Sequence, residues 1–418
     1  MKLPATLRAL QHRNFQLFFG GQIISLIGTW MQNVAQSWLV YRLTGSSVLL
    51  GAISFAGMIP VFLMAPIAGI VADRYDRRAV VIATQTSSML LAFALAALTL
   101  TGAVRIPYIF VLSALLGVVN AFDIPARQAF MVEMVGRTDL MNGIALNSSM
   151  FNASRVIGPA IAGVLVATIG EGWCFFANGV SYIAVIAGLA AMQVAPRTTL
   201  AQDGSPLHRI VEGFRFVLRN PPIHGILILL GIVSITGMPY TVLMPIFADR
   251  ILHGGARALG SLLGFAGIGA LSGALVLASR TNLKGLTRWV PLSAFGFGIS
   301  LIAFSASRAF WISGAILIPA GFSLMIEMGA SNTLIQSMVP DILRGRVMSV
   351  YSMVFMGLAP IGSLLAGAAS DRFGAPLTVT GAGAICMFGA AVFWLWLPKI
   401  RPDARRLIRE QKMASAAE

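Results

Sequence analysis

Of the 418 residues, 57% are hydrophobic and 11% charged, with a mean hydropathy of +0.82. Soluble domains carry about a quarter charged residues, so an ordinary soluble fold is excluded. The net charge of +15 is spread over short connections rather than gathered in one patch, so no nucleic-acid partner is expected and the charge reads as a topology signal. Cys174 and Cys386 lie far apart inside apolar runs, which indicates neither a disulfide framework nor a metal site.

The apolar runs are about twenty residues each, the length a helix needs to cross roughly 30 Å of hydrocarbon. They are helices, because a lone strand would leave its backbone unpaired in lipid. The expected spans are 15–41, 48–72, 79–100, 107–124, 142–169, 173–192, 223–247, 259–279, 289–307, 311–331, 347–370 and 377–397. Before the first, a basic start with Arg8 and Arg13 reads as retained rather than as a cleavable signal.

The first span carries Gln22, Ser25, Thr29, Gln32, Asn33 and Gln36 on one side at helical period, so that face either lines a cavity or hydrogen-bonds to neighbouring helices. After the second span, a loop with Gly69, Asp73, Arg74, Arg77 and Arg78 can cap a helix end and dock on a neighbour in one conformational state. That would make it a gate latch; the alternative is topology signalling alone. Three ionisable residues stand within apolar runs: Asp123 late in the fourth, Arg155 midway through the fifth and Glu327 in the tenth. A charge there costs at least about 2.5 to 3.5 kcal/mol, which marks each as a functional candidate. Glu327 and Asp123 are candidates for proton coupling or cation recognition. Arg155 is expected to pair with a carboxylate or attract an anionic substrate, and a static ion pair is the alternative for Arg155 and for Glu327. In the fifth span Gly158, Pro159 and Gly163 permit close helix approach and a looser backbone, a device repeated at Ala359-Pro360-Ile-Gly362.

Basic residues concentrate on alternate connections, including Arg74, Arg77, Arg78, Arg127, Arg137, Arg280, Arg288, Arg344 and both charged ends. The positive-inside rule then places both termini in the cytoplasm. The longest connection, with Arg197, Asp203 and Gly204, is the expected hinge.

An internal repeat appears at half the chain length. Gly117, Asp123, Ala126, Met134 and Val135 recur 204 residues on as Gly321, Glu327, Ala330, Met338 and Val339. Leu50-Gly51 and Phe55-Ala56-Gly57 recur as Leu259-Gly260 and Phe265-Ala266-Gly267. The expected architecture is therefore an all-α membrane protein of about 12 transmembrane helices in two pseudo-symmetric six-helix bundles, 1–195 and 223–398. A cytoplasmic central loop, 196–222, joins them, and a cytoplasmic tail, 399–418, follows. Parallel repeats of this kind are a transporter architecture with a solute site near the midplane.

At these residues the chain resembles the major facilitator superfamily. Gly69-Ile-Val-Ala-Asp73-Arg74-Tyr75-Asp76-Arg77-Arg78 is similar to that family's loop signature, with Asp76 where the family carries glycine. Arg155-Val-Ile-Gly158-Pro159-Ala-Ile-Ala-Gly163 is similar to its export motif. Gln36-Ser37-Trp38-Leu39-Val40-Tyr41, Asp123-Ile-Pro125-Ala126-Arg127-Gln128 and Arg344-Gly345-Arg346-Val-Met-Ser349 resemble the branch of enterobactin exporters and macrolide efflux proteins. The resemblance implies a secondary transporter in the bacterial inner membrane that works by alternating access. It would be a monomeric, proton-coupled exporter of amphipathic organic molecules such as drugs or siderophores, without a cofactor. An importer or lysophospholipid flippase on the same scaffold is the alternative reading. No phosphate loop for ATP is present, and all four histidines lie at or beyond span ends, which argues against an intramembrane enzyme.

Overall fold

The computed structural model describes residues 5–193, 206–280 and 285–417; Arg197, Asp203 and Gly204 lie outside them. Within these residues the secondary structure is helix and turn only. A 3-10 turn, Ala5–Gln11, precedes α1 (Arg13–Thr44), α2 (Ser47–Arg74) and α3 (Arg77–Leu100). A helical stretch of 64 residues follows, Ile106–Ile169. Unbroken, it would run about 96 Å, some three times the hydrocarbon thickness.

Gly136 breaks it. At φ 70° and ψ 173° it occupies backbone space that a side chain would resist, and it divides the stretch into α4 (106–135) and α5 (137–169). The chain doubles back there, since Gly143 packs against Met131 and Val135. Next come α6 (Glu171–Ala190), α7 (Pro206–Arg219), α8 (Pro221–Ile251), α9 (Gly255–Ala278), α10 (Leu286–Ala306), α11 (Phe310–Met338), α12 (Asp341–Phe373) and α13 (Ala375–Ala417). α8 widens into π turns at Val233–Gly237 and Phe247–Ile251, next to Pro239 and Pro245, which cannot donate to a regular ladder.

Ten of these helical stretches are long and apolar enough to cross a membrane. The second arm beyond Gly136, and the 32-residue α1 with its diluting polar positions, bring the spans among the described residues to twelve. Their outer faces are apolar: Leu90, Ile183, Leu275, Leu292, Phe388 and Leu395 are all exposed, as lipid contact requires. Two elements depart from the sequence expectation. The central connection is partly helical, because Pro206–Arg219 alternates apolar and charged residues at helical period. The tail continues α13 as helix to Ala417.

The chain forms two compact units, neither of them one unbroken stretch. Unit 1 comprises Met1–Gly45, Ala52–Gln202 and Ala248–Gly264; unit 2 comprises Ser46–Gly51, Asp203–Phe247 and Phe265–Glu418. In unit 1, α1 and α3 pack on α6, and Phe15, Phe18, Phe130, Met134 and Met150 form the buried core. In unit 2, α10 packs on α11 and α13, with the Phe247 and Phe304 rings 4.6 Å apart.

Close helix crossings are built on glycine. In unit 1, a Cβ on Gly117 of α4 would overlap the carbonyl oxygen of Gly57 on α2. In unit 2, one on Gly321 of α11 would overlap that of Ala266 on α9. These are the repeat-related positions, so each unit uses the same crossing. A second related pair follows: Gly163 of α5 meets Gly260 at the start of α9 within unit 1, its added Cβ 3.1 Å from the Gly260 Cα, and Gly367 of α12 meets Gly51 at the start of α2 within unit 2, at 3.2 Å.

Gly117→Ala and Gly321→Ala are each expected to destabilise by about 1 to 3 kcal/mol through overpacking. Thermal unfolding in detergent should register this as a lowered midpoint. Gly381→Ala, where nothing stands within 4 Å of the added carbon, should not lower the midpoint, since alanine favours the helix.

Candidate functional site

The turn between α2 and α3 is Tyr75 and Asp76. Asp76 adopts φ −59°, an ordinary value, and its Oδ1 accepts a hydrogen bond from the Ala79 amide at 2.7 Å, capping α3. No glycine is required at that turn. Arg77 is buried: its Nε donates to the Ala72 carbonyl (3.1 Å), and its Nη1 donates to the Ala129 carbonyl (2.9 Å) and to Glu133 (3.0 Å). Arg78 donates to the Leu189 and Ala190 carbonyls, both at 2.7 Å, satisfying the last turn of α6. The two arginines thereby bind α3 to α4 and to α6 inside unit 1. Asp73 lies 3.8 Å from Arg77 and is exposed, as is Arg74; Gly69 has open space at its Cα.

The polar stripe of α1 divides by partner. Gln32 accepts from Asn178 of α6 at 2.7 Å, Thr29 stands 3.5 Å from the Tyr182 hydroxyl, and Gln36 donates to Ser113 of α4 at 2.9 Å. Ser25 is buried and its carbonyl accepts from Thr29. Gln22 is buried too, and its Oε1 has no hydrogen-bond partner among the described residues. Asn33 alone in the stripe is exposed. Three of the six, Thr29, Gln32 and Gln36, therefore meet another helix.

Asp123 is buried and fully engaged. Its Oδ1 accepts from Thr84 and Gln85 of α3, each at 2.9 Å, and its Oδ2 lies 3.2 Å from Arg127 one turn on. These contacts tie α4 to α3. Glu327, its repeat counterpart on α11, has 0% exposure. Its Oε1 accepts only a 3.4 Å bond from Ser331, and its Oε2 has no partner among the described residues. Tyr351 of α12 donates its hydroxyl to the carbonyl of Met328, the residue after Glu327, at 3.1 Å.

Arg155 is half-buried on α5, with its guanidinium 5.7 Å from the centroid of the Trp30 ring, which in turn meets Phe151 edge-on. Gly158 packs against Trp30 and Ile27 of α1, and Pro159 and Gly163 against Gly260. The sequence pointed to Arg77, Arg78, Asp123, Arg127, Arg155 and Glu327 but not to Glu133, nor to the neutral partners Thr84, Gln85, Ser113, Asn178, Tyr182 and Tyr351. The one-turn spacing of Asp123 to Arg127 and of Glu327 to Ser331 was the available signal. Partners on other helices had none.

Residues 4–416 match the family described as transmembrane secretion effector. Curated relatives include a staphyloferrin A transporter of Staphylococcus aureus, 28% identical over 88% of this chain and 93% of that protein. The multidrug efflux pump Tap of Mycolicibacterium fortuitum is 28% identical over 90% and 93%, and an enterobactin exporter of Shigella boydii is 24% identical over 97% and 96%. Among solved structures, a bacterial homologue of the human lysosomal transporter Spinster aligns with a TM-score of 0.73 at 14% identity, covering 98% of this chain and 99% of that one. A D-xylose-proton symporter aligns at 0.70 and 13%, covering 93% and 96%. These likenesses carry the fold.

Arg77→Gln is expected to lower the unfolding midpoint, because charge-assisted hydrogen bonds to Glu133 and two carbonyls, each worth about 1.5 to 3 kcal/mol, are lost or weakened. Arg74→Gln, at an exposed site, should not lower it. Differential scanning fluorimetry of both purified variants makes the comparison.

Proposed function

This chain belongs to the transmembrane secretion effector family of the major facilitator superfamily, a membrane transporter and not an enzyme, and on that premise we propose that it is a proton-coupled exporter of amphipathic organic molecules. Siderophores and drugs are the substrate classes, as the names of its relatives suggest. Transport proceeds by alternating access between an N-terminal bundle, 1–195, and a C-terminal bundle, 223–398, with both termini cytoplasmic.

The observation that supports coupling is the state of Glu327. A proton carrier in a membrane must be a group that exchanges its proton as access changes, and intramembrane carboxyls serve this role in pumps and transporters. Glu327 is buried, has one oxygen without a partner, and is in no ion pair among the described residues. Asp123, held by Arg127 and two α3 side chains, is assigned to holding the bundle together. Arg155, braced by Trp30, is assigned to an anionic part of the substrate. The α2–α3 loop acts as a latch whose Arg77 and Arg78 hold unit 1 rigid while Asp73 and Arg74 remain available for a state-dependent contact.

Proteoliposomes with an imposed pH gradient provide the test, using siderophores, macrolides and lysophospholipids as separate arms. Glu327→Gln should lose pH-driven flux by about tenfold or more, as removal of an intramembrane proton site requires, while substrate exchange without a gradient persists. Unchanged proton-driven flux would remove Glu327 from the coupling role. Transport of lysophospholipid alone would replace the exporter reading with that of a flippase.

A further inference from the structure

α7 carries an apolar strip that the protein leaves uncovered. Val211, Phe214 and Leu218 share one face by helical spacing, and they are 54%, 38% and 71% exposed. The other side of the helix is packed. Gly213 and Val217 are buried, and α7 lies on α12 within unit 2. A Cβ on Gly213 would stand 2.6 Å from the carbonyl oxygen of Arg346 and 3.3 Å from Cγ2 of Val350. The crossing is therefore close, and it fixes which way the strip can turn.

Two neighbouring helices mark the depth at which α7 lies. α12 is charged at Asp341, Arg344 and Arg346 and turns apolar from Val347 onward, so the crossing at Gly213 falls on that change. α8 starts one residue after α7 ends: Asn220 donates through Nδ2 to the Phe216 carbonyl at 2.7 Å, and the apolar run of α8 opens at Ile223. Both place α7 where hydrocarbon gives way to headgroups. Side chains on α12 tilt toward its N-terminus, which carries the guanidinium of Arg346 toward the charged end, and Glu212 pairs with it there. Glu212 precedes Gly213 and Phe214 follows it, so the two turn to opposite sides of the crossing. The Phe214 strip thus faces the hydrocarbon side, with the exposed Arg215 and Arg219 along its outer edge.

We propose that α7 lies in the surface of an anionic bilayer, with Val211, Phe214 and Leu218 dipping beneath the phosphates and Arg215 and Arg219 reaching back up to them. An amphipathic helix at this depth buries its apolar face in the acyl boundary, and long basic side chains keep their charge at the headgroups. A soluble partner fits worse, because the strip sits at the level of the lipid boundary. Glu212 is neutralised by Arg346, so the charge that residues 211–219 present outward is basic, and net negative headgroups are preferred. The connection between the halves then anchors the entry of α8 to the membrane surface instead of hanging as a free loop. This inference does not depend on what the protein transports.

The full chain in phosphatidylcholine nanodiscs, with and without phosphatidylglycerol, tests it by electron paramagnetic resonance. Cys174 and Cys386 are buried, so a nitroxide attached after Leu218→Cys reports that position. It should collide more often with oxygen, which concentrates in hydrocarbon, than with a water-soluble nickel chelate. Phosphatidylglycerol should increase that oxygen excess, and Arg215→Gln with Arg219→Gln should remove the increase while keeping the excess seen in phosphatidylcholine. A label that meets nickel more often than oxygen faces water and overturns the proposal. A label shielded from both reagents overturns it in favour of a protein partner or a second copy of the chain. The anionic surface is rejected if phosphatidylglycerol brings no increase, or if the increase survives in the double variant. Should Leu218→Cys fail to assemble, Val211→Cys on the same strip gives the same reading with the same outcomes.

Discussion

Lipid gives little reward for burying leucine, because acyl chains are as apolar as the side chain they would replace. What holds this fold is therefore the distance to which helix backbones can approach. Gly117 on Gly57, Gly321 on Ala266, Gly163 on Gly260 and Gly367 on Gly51 are the places where two helices meet nearly backbone to backbone. At each, a single added carbon would meet main-chain atoms. The aromatic clusters of Phe15 with Phe18 and of Phe247 with Phe304 fill the space that these crossings leave.

Once the crossings fix the helices, polar side chains must find partners inside the bundle, since water is not there to satisfy them. Much of the polarity in unit 1 is consumed this way. Gln32 and Asn178, Gln36 and Ser113, and Asp123 with Thr84, Gln85 and Arg127 are each closed pairs or clusters. The α2–α3 loop follows the same logic at the helix ends, where Arg78 supplies donors for carbonyls that α6 leaves open. Glu327 Oε2 and Gln22 Oε1 have no hydrogen-bond partner among the described residues, which sets them apart from these closed clusters.

The sequence made the spans and the twofold repeat legible, because lipid imposes length and apolarity on every crossing. It also exposed the glycines at matched positions 117 and 321, without telling which carbonyl each would meet. The α1 stripe was legible only as a polar face: Gln36 and Asn33 look alike by period, yet one meets Ser113 and the other is exposed, and that difference is set by helices far away in sequence. At Asp76 the family pattern suggested a glycine turn, whereas the local structure is a helix cap that an aspartate makes well. The α7 helix was hidden by its polarity, since Pro206 and its charges read as loop until their helical spacing is considered.

The repeat also explains why two matched carboxyls differ. Asp123 and Glu327 are 204 residues apart, and so are the residues one turn beyond them, Arg127 and Ser331. In unit 1 the turn supplies a guanidinium, and α3 adds a hydroxyl and an amide, so the carboxylate is neutralised and fixed in place. In unit 2 the same position supplies only a hydroxyl at 3.4 Å, and the second carboxyl oxygen faces no donor among the described residues. A duplicated scaffold thus holds one acid in an ion pair with Arg127 and leaves the other without a counter-charge among the described residues. That divergence lies in a neighbouring residue rather than in the carboxyl itself, so a search for matched acids alone would have treated the two sites as equivalent.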